Sequence, residues 1–348
     1  MSPRPGAPWD RRGVVHTLLA PEPAAPDLPW ALRALRAFAV QDWLIVGYFL
    51  VLLGAVLAGT GPARDQSVRN VALSLAVVLL GLAVVRGEVL PWGTRATALF
   101  YRLSVVGPVM NSYFLLRYVL PTANPSTRDA QILAFDLRVF GYEPALAWDR
   151  YVTPATVEWF SFFYFGYFII ITLYLEGNMF FAKNSRLLAE VALGAFFIFC
   201  FGHVTYMLVP GFGPYHHLAG TFQHELTGGT FWGMVQDTVR SAGAQKDIFP
   251  SLHTAVPTFL CIFAWRNRAV APYNFVWLPT TLFTSQIIIA TMFLRWHYLV
   301  DIFAGLAFAA FAGFVVPRIL AWEHRRREAM GVMPVWTPLW TLPSLRRR

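Results

Sequence analysis

Two short stretches hold the residues with chemistry in them. DIFPSLH ends on His253, directly after Pro250 and Ser251, where a polar loop turns into an apolar helix. LRWHYLVD holds Arg295, His297 and Asp301 at the start of another apolar segment. His297 and Asp301 are spaced i, i+4, so on a helix they share one face. A carboxylate so placed accepts the proton of one imidazole nitrogen, fixes the tautomer and leaves the other nitrogen to attack. The planar fork of Arg295 suits a phosphate or a carboxylate. Unpaired N–H groups at the helix start after Ser251 attract anions, and the Ser251 hydroxyl adds a donor. Together these are the parts of phosphoryl transfer: a nucleophile, an acid for the leaving oxygen, and positive groups around the equatorial oxygens.

The elements that must bring the two stretches together are membrane helices. Of the 348 residues, 56% are hydrophobic and 14% charged, which excludes an ordinary soluble domain. The net charge of +9 is spread over the loops between apolar runs. It reads as a topology signal and a contact for anionic lipid, not for nucleic acid. Cys200 and Cys261 sit inside apolar runs and are expected to be buried thiols, bound to neither a disulfide partner nor a metal. A span needs about 20 mostly apolar residues. About eight are expected, at 43–60, 70–90, 98–120, 155–176, 187–209, 252–266, 273–294 and 298–321. The expected fold is an all-α polytopic bundle. Residues 1–40 are a basic, Pro-rich, partly disordered cytosolic leader without the apolar core of a cleavable signal. Residues 41–97 are accessory helices, 98–322 a six-helix catalytic core, and 323–348 an exposed basic cytosolic tail. Segment 121–153 is too charged to cross, and its stretch ILAFDLRVFGYEPALAW lies in the interface. Lys and Arg concentrate on the pieces that are cytosolic if both termini are inside. The 210–250 loop and the 295–297 turn, with both histidines, then share the extracytoplasmic face.

PSLH followed by RWHYLVD resembles the second and third signature motifs, P-S-G-H and S-R-x5-H-x3-D, of the type 2 phosphatidic acid phosphatase superfamily. The H-Y-x-x-D form and the Leu in the first of these resemble the inositol phosphorylceramide synthase branch. LAFDLRVFGYEPALAW and LVPGFGPYHHL resemble that branch's D-x-x-L-F-G and P-x-x-G-P segments. The resemblance covers residues 110–321. It implies a membrane phosphotransferase in which His297 becomes phosphorylated, Asp301 orients it, and His253 protonates the leaving alkoxide. It implies Arg295 and Ser251 as holders of the phosphoryl oxygens, beside Pro250 and Gly213 of the two loop motifs. The superfamily's first motif, with its phosphate-binding lysine, is absent. Lys246, His216 or His217 are candidates to supply that charge. The donor is a phospholipid and the acceptor a lipid alcohol. Water as acceptor would make the same site a lipid phosphate phosphatase. No cofactor is required.

Other readings compete. His253, His297 and Asp301 as zinc ligands would make a metal-dependent hydrolase, although Arg295 would be repelled by the dication. A transporter would spread ionisable groups over several spans, whereas here they cluster. Asp136 is expected to cap a helix or pair with Arg138. Trp159 and the run FSFFYFGYF are expected to face lipid or pack between helices, and Gln286 to hydrogen-bond across a helix pair.

Overall fold

The structure, a computed structural model, describes residues 29–90 and 94–339. These form helices α1 (Trp30–Arg36), α2 (Val40–Ala58), α3 (Arg64–Arg86), α4 (Arg95–Ala123), α5 (Asp129–Phe140), α6 (Pro144–Ala147), α7 (Pro154–Phe181), α8 (Ser185–Leu208), α9 (Pro214–His217), α10 (Thr230–Ala242), α11 (Leu252–Arg266), α12 (Tyr273–Phe293) and α13 (Leu299–Ala329). No strand occurs among the described residues, only an isolated bridge between Gly211 and Asp247. Ser, Thr or Asn precedes α4, α7, α8 and α11, and each side chain accepts an N–H from the first turn.

Seven helices, α2, α3, α4, α7, α8, α12 and α13, are long and apolar enough to cross a membrane. The protein is therefore an integral, multi-pass membrane protein built as an all-α bundle. The eighth expected span, α11, has 15 residues. That is roughly 22 Å of helix against a hydrocarbon core of about 30 Å. α11 instead packs against α7, α8, α12 and α13 inside the bundle. α8 is the central post, with 83% of its most apolar stretch buried. α2 and α4 pack against it, and α3 packs on α2 and α4.

The charged groups Arg86 and Arg102 inside this bundle have internal partners, as a dry interior requires. Arg86 reaches Asp42 through Nε and Nη2 at 2.7 and 3.2 Å, joining α3 to α2. Arg102, 1% exposed, donates to the carbonyls of Ala98, Met179 and Thr337. The last of these belongs to the segment expected to be an exposed tail, and there the structure differs. α13 runs on to Ala329. Glu323 accepts the Val40 N–H at 2.8 Å, Arg327 donates to the Ala37 carbonyl at 2.9 Å, and Trp336 donates to Gln41 at 3.1 Å. The acidic and basic side chains of the tail thus satisfy backbone groups at the start of α2. The end of the leader forms α1, while its residues 1–28 and the tail residues 340–348 lie outside the described residues.

Candidate active site

α11 and α13 approach so closely that a Cβ on Gly305 would lie 2.6 Å from the Ser251 carbonyl. The Ser251 N–H donates to the Asp301 carbonyl at 3.0 Å. The two motifs are therefore tied backbone to backbone. The His253 and His297 rings stand 6.4 Å apart. Both line one cavity of about 270 Å³, which runs from the 210–248 loop into the bundle between α4, α7 and α8.

His297 sits on a turn fixed from three sides. Arg295 adopts the left-handed backbone conformation (φ 66°), which closes the end of α12 as the Trp296 and His297 N–H groups both return to the Thr291 carbonyl. Gly213 (φ 79°) lies against it, where a Cβ would meet the Trp296 carbonyl at 2.4 Å. Behind it, Asp301 accepts the Tyr298 N–H at 2.9 Å and faces His297 Nδ1 at 3.4 Å, the long end of a hydrogen bond. Burial pushes the His297 imidazole down to about 4, with the Asp247 carboxylate and the Ile248 carbonyl pulling the other way. At pH 7 the imidazole is therefore neutral.

His253 is held by stacking. The Tyr164 and Tyr167 rings lie 4.3 and 4.1 Å from it, centroid to centroid. Its Nε2 is buried with no hydrogen-bond partner among the described residues.

The cationic candidates lie elsewhere. Arg295 Nη2 pairs with Asp149 Oδ1 at 2.7 Å and donates to the His224 carbonyl, and its guanidinium stacks 3.7 Å over Phe222. Asp149 pays desolvation, which raises its carboxyl. The Gln223 N–H, His224 and Arg295 outweigh this and hold it below the usual range. Lys246 Nζ donates to the Pro125 and Ser126 carbonyls at 2.7 and 3.3 Å. Neither cation lines the cavity. The Ser251 Oγ accepts the Thr254 N–H (3.3 Å), which leaves its own hydrogen able to donate, whereas the Ser251 amide is spent on the Asp301 carbonyl and is not the expected free donor. The peptide before Pro250 is cis. His216 does line the cavity, on the short helix α9. His217 does not line it.

Several residues that sequence reasoning missed complete the site. Asp247 lines the cavity, accepts the Tyr113 hydroxyl at 3.2 Å, and has its carboxyl raised by burial. Its position inside DIFPSLH was the one available signal. Two acids of α5 clamp the loops from behind. Asp129 accepts the Phe212 and Gly213 N–H groups and the Tyr298 hydroxyl. Asp136 caps the start of α13 through the Leu299 and Val300 N–H groups at 2.6 and 3.1 Å. The expected cap is thus on another helix. Trp159 donates to Gln286 at 3.2 Å across α7 and α12, the interhelical bond expected of Gln286. Both cysteines are buried, Cys261 donating to Thr284. Among the described residues, no three His, Cys, Asp or Glu side chains are arranged to hold a metal ion.

Two helix starts thus bring His253 and His297 to one cavity, with Asp301 behind the second. The family model of the PAP2 superfamily matches residues 130–316, more than half of the chain, and the chain belongs to that superfamily. No curated protein and no solved structure matches it.

Proposed function

We propose that this protein is a lipid phosphotransferase of the inositol phosphorylceramide synthase type, acting at the extracytoplasmic face. The observation that carries this reading is the pair of imidazoles, 6.4 Å apart, on the wall of one cavity with Asp301 behind the second. Asp301 engages Nδ1 of His297, so Nε2 attacks the phosphorus of a phospholipid donor. The P–O bond to the leaving alcohol breaks, and His253 gives that oxygen its proton. A phosphohistidine remains. The hydroxyl of a lipid alcohol then gives its proton to His253 and attacks the phosphorus, releasing His297. The cavity continues past the imidazoles between aromatic side chains of α4, α7 and α8, which suits a lipid acceptor better than bulk water. His216 is the candidate for meeting the phosphoryl oxygens.

Product analysis tests this. Full-length protein in detergent is given head-group-labelled phospholipid, with and without diacylglycerol or ceramide, alongside His297→Ala. A new phospholipid that forms only with the alcohol and is lost in the variant supports transfer. Release of the phosphorylated head group or free phosphate regardless of alcohol makes the enzyme a hydrolase. Equal turnover by the variant overturns the site.

A further inference from the structure

The cavity contains a third histidine that the reaction above does not use. His203 of α8 is 1% exposed, and its Nε2 has no hydrogen-bond partner among the described residues. It lines the same cavity as His253 and His297. Its other nitrogen, Nδ1, lies 2.9 Å from the Tyr48 hydroxyl and 3.3 Å from the Ser112 hydroxyl.

Counting hydrogens fixes the tautomer. The Ser112 hydroxyl is 2.6 Å from the Val109 carbonyl, which has no hydrogen, so Ser112 supplies it. Tyr48 is 2.8 Å from Ser112 Oγ, and with the Ser112 hydrogen spent, that contact takes the Tyr48 hydrogen. The Tyr48–His203 contact must then be made by a proton on Nδ1. Any other assignment leaves two oxygens in short contact with no hydrogen between them. Neutral His203 carries one N–H, so Nε2 holds a lone pair. A buried acceptor in an aromatic cavity is costly until a donor reaches it. The lone pair repels phosphoryl oxygens, which are acceptors too. A lipid alcohol brings the O–H that fits.

We infer that His203 Nε2 accepts a hydrogen bond from a hydroxyl of the lipid alcohol, making His203 a specificity-determining residue within the cavity. The choice of an alcohol as the donor-bearing ligand rests on the transfer reading; the acceptor character of Nε2 does not. The arrangement also gives α2 a purpose, since its Tyr48 sets the tautomer that reads the substrate.

The test is equilibrium binding of labelled dioctanoylglycerol and of its O-methyl ether, which lacks the O–H, to the full-length protein in detergent. The wild type is expected to bind the alcohol roughly tenfold more tightly than the ether. His203→Phe should bind both at the ether's level, the unchanged ether affinity reporting an intact cavity. Ser112→Ala releases the Tyr48 hydrogen to Nδ1 and moves the imidazole proton to Nε2. The ether oxygen can then accept, and the preference should vanish with His203 still present. A wild type that binds both ligands alike overturns the inference, as does a preference that survives either substitution. A wild-type preference without any transfer product would sink the transferase reading and leave the His203 assignment standing.

Discussion

The imidazoles and the cations of this protein are used in opposite ways. His253, His297, His203 and His216 all line the cavity, while Arg295 and Lys246 turn away and tie down the loops around it. Arg295 opens one signature motif and Lys246 lies four residues before the other, where sequence reading assigns each to phosphate. The difference teaches that a charge beside a motif is as useful for building the turn as for meeting the substrate. A guanidinium paired with a buried carboxylate has already spent its field.

Removing the proposed nucleophile is the largest test of that contrast. His297→Ala should lower transfer by at least about 10³-fold and abolish a trapped phosphoenzyme, while the protein still purifies as a folded species. Arg295→Ala and Asp149→Ala come next. Each breaks a buried pair and should destabilise the fold by about 3–5 kcal/mol, read as matched losses in thermal unfolding. Neither should raise KM for the phospholipid by more than about twofold, since neither group meets it. A KM rise confined to Arg295→Ala would move that cation into the reaction and erase the contrast.

The third test uses protons. The folded His297 takes up its proton near pH 4, whereas the unfolded chain does so near 6.5. Between these values the unfolded state binds more protons, so stability is complete above about pH 6.5 and declines as pH falls toward 4. The loss is roughly 3 kcal/mol. Unfolding measured at pH 7, 5 and 4 should show this slope, flattened in His297→Asn. The acid limb of kcat/KM should likewise lie near 4 instead of 6.5. The smallest effect belongs to a residue outside both groups. Gln286→Leu removes one lipid-facing hydrogen bond and should cost about 0.6 kcal/mol, with activity unchanged.

What could be read from sequence was what lies close along the chain. Apolar runs gave the bundle, and the i, i+4 spacing gave His297 and Asp301. His253 announced itself by following Pro250 and Ser251 at a helix start. The partners supplied by tertiary packing were not legible. Arg295 finds Asp149 at a separation of 146 residues, and no local pattern marks that pair. Tyr164 and Tyr167 lie in a run that is aromatic on every side, so nothing in its periodicity told the face stacked on His253 from the face toward lipid. The tail reads as polar and exposed because Glu323 and Arg327 are charged. Their burial depends on unpaired backbone groups at α2, which composition does not reveal.

Arg102 carries a consequence for how the molecule is made. Its guanidinium sits within α4, yet one of its three carbonyl partners lies 77 residues later and another 235 residues later. A chain synthesised from its N-terminus inserts this helix long before either carbonyl exists. The nascent protein must therefore carry in its third span a guanidinium whose hydrogen bonds are completed only by a stretch beyond the final helix. Insertion of that helix does not by itself close the bundle.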